Sequence, residues 1–113
     1  MTDCLFCKII AGDIPSAKVY EDEICFAFRD INPQAPTHIL VVPKEHIASL
    51  AELDESSASV AAHCLLVCAS IAKQEGLGEG WRLVSNCGDN AGQTVHHLHF
   101  HILGGARLED RMA

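Results

Sequence analysis

The sequence predicts an α+β domain: a largely antiparallel five-stranded sheet, one long helix and a short N-terminal helix. Three observations carry this reading. The stretch Val95-His96-His97-Leu98-His99-Phe100-His101-Ile102-Leu103-Gly104-Gly105 alternates histidine with large apolar residues, the period-2 signature of a half-buried strand. Other short apolar runs are punctuated by Asp-Glu, proline and glycine, which mark turns and loops. One longer apolar run follows Asp54, long enough for a helix.

Taken in order, Cys4 to Ala11 ends at Gly12 and reads as a short helix or turn. Ala17 to Glu21 is a first strand, Asp22-Glu23 a turn, and Ile24 to Arg29 a second strand rich in apolar and aromatic residues. Pro33 and Pro36 punctuate a loop. Thr37 to Val42 is a third strand, stopped by Pro43, and His46 to Leu50 is expected to form a short helix. Asp54 offers an N-cap for a helix from about Glu55 to Glu75, which Gly76 and Gly78 stop. From Val60 to Ala72 this helix is apolar almost all round. Such a helix is buried on more than one side, and in a chain this small the second side points to another subunit. Trp81 to Asn86 is a fourth strand, Gly88 to Gly92 a loop, and His97 to Gly104 the fifth strand.

The chain has 113 residues, which suits a single domain over 1–113 with a real core. It holds no run of eighteen apolar residues, and it begins Met1-Thr2-Asp3-Cys4 without the basic start of a signal peptide. A cytoplasmic protein with no membrane partner is expected. The six cysteines then argue for thiols or metal rather than a disulfide scaffold. Cys25, Cys64 and Cys68 lie in apolar runs and Cys87 near a turn, where cysteine packs as a small hydrophobe. The net charge is −7 with histidine neutral. There is no basic stripe, so no extended nucleic-acid partner is expected, since phosphate neutralisation supplies most of that affinity.

On an extended strand His97, His99 and His101 form a row, about 6.6 Å between successive members, while Leu98, Phe100 and Ile102 face a core. Each buried imidazole needs a hydrogen-bond partner, so packing alone is a poor use of three. His97 and His101 would be about 13 Å apart. One zinc with bonds of about 2.1 Å cannot hold all three, which leaves at least one for nucleophilic or acid–base work. The pair in Cys4-Leu5-Phe6-Cys7 is ambiguous between zinc and redox chemistry, although no βαβ pattern surrounds it. A closed zinc site would need two further ligands.

His97-Leu98-His99-Phe100-His101-Ile102-Leu103 resembles the His-φ-His-φ-His-φ-φ motif of the histidine triad family of nucleotide hydrolases and transferases. The segment from Phe26 through Asp30-Ile31-Asn32-Pro33-Gln34-Ala35-Pro36-Thr37 to His46 is similar to the branch of small nucleoside phosphoramidate hydrolases. So are Phe6-Cys7-Lys8-Ile9-Ile10 and Asp13-Ile14-Pro15. The resemblance runs from about Cys4 to Gly105.

The resemblance implies the histidine triad fold and a homodimer formed through the long helix and its neighbouring strand. It implies a purine nucleotide substrate, AMP- or GMP-like. His99 takes the place of the nucleophile that attacks the α-phosphate and forms a nucleotidyl-histidine; a backbone carbonyl of the triad strand fixes its tautomer. Imidazole suits that role because it is neutral and nucleophilic near pH 7. His101 and Thr94 fall at the positions that serve the phosphate oxygens and leaving group. Asn86, Gly92 and Gln93 match phosphate-side positions, Asp30 the ribose carboxylate, and Phe6, Ile9, Phe28 and Ile31 the apolar base pocket. Members that carry the Cys-x-x-Cys pair complete a zinc site with residues matching His46 and His97. One structural zinc per subunit, held by Cys4, Cys7, His46 and His97, is the resulting expectation. The resemblance leaves two alternatives: a dinucleoside polyphosphate hydrolase, or a non-catalytic nucleotide-binding regulatory dimer. The chain departs from the branch in its tail, Ala106 to Ala113, which lacks a Trp-Pro-Pro-Gly-type ending, and in His96, which stands where an aromatic residue is common.

Overall fold

The computed structural model describes residues 3–112; Met1, Thr2 and Ala113 of the expected single domain lie outside the described residues. The elements are α1 (Leu5–Ala11), β1 (Lys18–Glu21), β2 (Cys25–Arg29), β3 (Thr37–Pro43), α2 (Ala58–Gln74), β4 (Trp81–Val84) and β5 (Phe100–Gly104), with short 3-10 turns at Leu50–Glu52, Glu55–Ser57 and Asp89–Ala91. The strands form one five-stranded sheet in the order β1-β2-β3-β5-β4, antiparallel at every pairing.

The central strand β3 is buried along almost its whole length, which is why its sequence is continuously apolar rather than alternating. Its two faces meet different partners. Ile39 and Val41 join Cys25, Ala27, Leu98, Phe100 and Ile102 under the α2 residues Cys64, Val67, Cys68 and Ile71. Leu40 and Val42 join Phe26 and Phe28 under Phe6 and Ile9 of α1. Because side chains alternate along a strand, His38 falls on the α1 face with Leu40. His101 pairs with Leu40 across the ladder and lies there too. The sheet therefore keeps its larger core under α2 and offers the face beneath α1 for a site.

Four boundaries differ from the sequence expectation by two residues or more; the simplest is β4, which stops at Val84 rather than Asn86 because β5 pairs with it only from Trp81 to Val84. Residues 46–49 form no helix; the chain there is irregular, and the first helical turn after it is Leu50–Glu52. The Ile47 carbonyl is instead taken by the Leu98 amide, which ties this segment to the triad. Asp54 caps the turn Glu55–Ser57, and α2 proper begins one residue later. The fifth strand begins at Phe100, not His97. His97 sits in a bend, its amide bonded to the Val95 carbonyl.

The run Glu55–Gln74 is apolar and long enough by composition to cross a membrane, but one of its faces packs on the sheet. A clamp fixes it there. Asp22 accepts from the Ile24 and Cys25 amides through Oδ1, and from Tyr20 and His63 through Oδ2, the last at 2.6 Å. Burial alone would raise the Asp22 pKa, but these donors outweigh it and hold the carboxyl far below its ordinary value. On the outer side of α2, Leu65 and Leu66 are exposed, as are Trp81 and Leu83 on the edge strand β4.

Candidate active site and metal centre

The bend at His97 gives the three triad histidines three different surroundings. Neutral imidazole has one donor and one acceptor nitrogen, so the partner of one nitrogen fixes the state of the other.

His97 is fully buried. Its Nε2–H donates to the Pro43 carbonyl at 2.8 Å, leaving the Nδ1 lone pair directed at the cysteines. Nδ1 lies 3.3 Å from Cys4 Sγ, 3.6 Å from Cys7 Sγ and 3.2 Å from His46 Nδ1. Cys7 Sγ is 3.3 Å from His46 Nδ1. In a tetrahedral zinc site, bonds of about 2.3 Å to sulfur and 2.0–2.1 Å to nitrogen put S···N edges at about 3.5 Å and N···N edges at about 3.3 Å. The observed edges match. The four side chains form a cluster able to coordinate a metal ion, and the Pro43 carbonyl is the outer partner that orients a ligating histidine.

His99 is buried, and its Nδ1–H donates to the His97 carbonyl at 2.7 Å. Its Nε2 therefore carries the free lone pair. Burial lowers the pKa of His99 from the ordinary imidazole value. The ring is held edge-on by Phe6, with centroids 5.0 Å apart and planes at 89°. Ser85 Oγ donates to the His99 carbonyl at 2.8 Å, fixing the main chain at this point.

His101 is oriented by a residue that sequence reasoning did not single out. The Gln34 amide donates to His38 Nδ1 at 3.0 Å, so neutral His38 carries its proton on Nε2. That nitrogen is 2.9 Å from His101 Nδ1 and 3.4 Å from Asp30 Oδ2. His101 Nδ1 is thus an acceptor, and its proton sits on Nε2. Burial lowers the pKa of His38. Burial, followed by the neighbouring His99 and His38, pushes His101 down to about 4, so both rings are neutral near pH 7. The available signal for His38 was a single polar residue inside an apolar strand, in the same parity as Leu40. The result is an asymmetric pair: His99 offers a lone pair and His101 offers a donor, with ring centroids 5.0 Å apart.

Both histidines line a cavity of about 340 Å³, together with Phe6, Ile9, Phe28, Asp30, Ile31 and Thr94. Leu5, Ile14, Leu40 and Val95 complete its apolar wall. Asp30 Oδ1 accepts from the Asn32 amide at 2.8 Å, which leaves Oδ2 as the freer oxygen. Ile31 is 91% exposed and forms a rim rather than a wall.

Three expected site residues are not part of this lining. Asn86 Nδ2 donates to the Ala91 carbonyl and braces its own loop. Gly92 ends the turn Asp89–Ala91 with φ 82°, a left-handed conformation that glycine adopts without strain. The Gln93 side chain is buried and fully committed: Oε1 accepts from the Gly88 amide, and Nε2 donates to the Ala48 and Val95 carbonyls. Its position beside the triad is structural bracing, with no side-chain polar group left over for phosphate.

A HIT domain family model matches residues 11–108. A HIT-like protein of Synechococcus elongatus is 54% identical over 106 residues, which is 94% of this chain and 93% of that protein. The 14 kDa zinc-binding protein of Zea mays is 49% identical over 106 residues, 92% of this chain and 83% of that protein. Among solved structures, a HIT family hydrolase from Clostridium thermocellum superposes with a TM-score of 0.97 at 45% identity, covering 100% of this chain and 99% of that one. A family model over most of the chain, relatives near half identity along almost the whole length and a solved structure that superposes over the whole chain make one conclusion of the three comparisons: the chain belongs to the HIT family.

Proposed function

We propose that the protein is a nucleotidyl hydrolase, cleaving purine nucleoside phosphoramidates or related AMP-linked substrates through a nucleotidyl-histidine at His99. The observation that carries the reading is the opposite tautomers of His99 and His101 on one cavity wall. The apolar wall of Phe6, Ile9, Phe28 and Leu40 suits a base, and the freer Asp30 oxygen suits ribose hydroxyls. The α-phosphate then lies against His99, His101 and Thr94. His99 Nε2 attacks phosphorus while the P–N bond to the leaving group breaks. The His101 Nε2–H donates to a phosphoryl oxygen or to the departing nitrogen, and the Thr94 hydroxyl can donate alongside it. Water then attacks the same phosphorus from the vacated side, releasing the nucleoside monophosphate and restoring His99.

The metal held by Cys4, Cys7, His46 and His97 is proposed to be one structural zinc per subunit. The Cys2His2 donor set and edge lengths support this choice, and the name of the maize relative agrees with it. When bound it would link α1 to the triad segment, and no reacting atom need touch it. The exposed apolar residues of α2 and the unpaired edge of β4 support a homodimer through that face.

The test is His99→Ala, assayed on an adenosine phosphoramidate. The variant should fold and bind AMP while turnover falls by orders of magnitude, and wild-type protein quenched in alkaline denaturant, where the P–N bond survives, should carry a nucleotide on His99. A near-native kcat in the purified variant would overturn the mechanism. Efficient wild-type cleavage of a dinucleoside polyphosphate, with the phosphoramidate left intact, would overturn the substrate class.

A further inference from the structure

We propose that Cys4 and Cys7 are positioning residues for the nucleophile, acting through the metal they would share with His46 and His97. The inference rests on the role given to His99 above. It extends the metal centre beyond stability.

Besides the His101 ring, two contacts orient the His99 ring: the His97 carbonyl on Nδ1–H and the Phe6 ring set at right angles to it. These two are tied to the metal cluster. His97 is itself one of the four candidate ligands. Phe6 lies between the two cysteines, in the first turn of α1, where Cys4 is the N-cap and its sulfur accepts from the Cys7 amide. Phe6 also touches the His97 and Phe28 rings, at centroid distances of 6.0 and 5.5 Å. Thus a single coordination sphere holds both groups that aim the nucleophile.

Apart from the cluster, α1 is held by the packing of Phe6 and Ile9 on Phe26, Phe28, Leu40 and Val42. The helix α1 has seven residues, too short to be stable by itself, and it buries only Phe6 and Ile9. The donor atoms of the cluster converge on one point. His97 Nδ1 must be a lone pair because Nε2–H is committed to Pro43, and it faces His46 Nδ1 at 3.2 Å with two sulfurs beside it. A metal ion bridging these four donors would lock the His97 ring to α1; without it only weak thiol–imidazole contacts join them. Turning His97 disturbs the peptide whose carbonyl orients His99. Moving α1 withdraws Phe6. A displacement of about 1 Å at a reacting group can cost about a hundredfold in rate.

The experiment compares zinc-loaded protein with the same protein after chelation, at one pH, below the melting temperature of the chelated form. The first readout is the ¹⁵N spectrum of the histidine rings. Loaded protein should show a protected His99 Nδ1–H and a single tautomer. Chelated, folded protein should show that proton exchanging with solvent, and one equivalent of zinc should restore it. The same restoration should fail in Cys4→Ser/Cys7→Ser. The second readout is turnover, where kcat should fall by about tenfold or more on chelation. If the chelated form does not fold, Phe6→Leu in zinc-loaded protein decides. It keeps the metal and an apolar side chain but loses the ring edge, and kcat should fall several-fold with zinc content unchanged. Chelated, folded protein with an unchanged His99 signal and kcat would overturn the inference, as would an unaffected kcat in zinc-loaded Phe6→Leu. The ring spectrum needs no substrate. A loaded wild-type protein that turns nothing over therefore refutes the proposed function separately from this inference.

Discussion

Gln93→Ala separates two roles that a residue beside the triad could play. The side chain is 5% exposed. It makes hydrogen bonds of 2.9, 2.7 and 3.1 Å to the main chain at Gly88, Ala48 and Val95. It thereby joins the loop after β4, the segment after β3 and the approach to His97. Each such bond contributes about 1 kcal/mol net, and more where a buried partner is left unpaired. The loss should be about 2–4 kcal/mol. For 113 residues, an unfolding entropy of about 2.1 cal/mol/K per residue gives about 0.24 kcal/mol per degree. The melting temperature should therefore fall by about 8–17 °C. In the fraction that stays folded, AMP affinity should change by no more than about twofold, since no Gln93 polar atom is left for phosphate. Thermal melts by circular dichroism and AMP titration by calorimetry measure both. A melting temperature lowered by less than about 3 °C, together with lost AMP binding, would refute the bracing argument and return Gln93 to the phosphate.

Acid should act through His101. Its folded pKa of about 4 lies below the unfolded value of about 6.5, so between these limits the unfolded chain binds more protons and stability falls as pH falls. His38 shifts in the same direction. Turnover should also collapse near pH 4, where an imidazolium at His101 can no longer accept from His38; urea midpoints that stay constant from pH 7 to 4.5 would contradict this. Light scattering at micromolar concentration should report a dimer. Leu66→Glu, placed on the most exposed leucine of α2 at 71%, should shift it toward monomer, and a wild-type monomer would refute that interface. Protein purified without chelator should hold about one zinc per chain, whereas a content near zero with Cys4 and Cys7 freely titratable would refute the metal reading.

The sheet and the long helix were legible because their signals are local. Period-2 alternation marks β5, the apolar run of β3 marks a strand buried on both faces, and Asp54 with Gly76 brackets α2. What was not legible depended on distant partners. Residues 46–49 have helix-compatible composition, but the Ile47 carbonyl bonds the Leu98 amide across the fold. Gln93 was placed at the phosphate by the family resemblance, while its side-chain acceptors lie on Ala48 and Val95. His38 was the reverse case, one polar residue in an apolar strand whose purpose appears only when antiparallel pairing with β5 brings it to His101.

The triad shows why its alternation was both right and incomplete as a guide. Alternation predicts three imidazoles on one face, with Leu98, Phe100 and Ile102 in the core on the other, and those three residues are in the core. A regular strand, however, would give the imidazoles equivalent surroundings and no reason for different protonation. The proposed mechanism needs inequivalence: a ligand, a nucleophile and a donor. The chain obtains it by leaving the ladder before Phe100, so that the His97 ring turns toward the cysteines while its carbonyl turns toward His99. His101 stays in the ladder, where the neighbouring strand supplies His38. Restoring a regular strand at His97 would remove the acceptor that frees His99 Nε2. The irregularity at the start of β5 is therefore part of the chemistry proposed for the site.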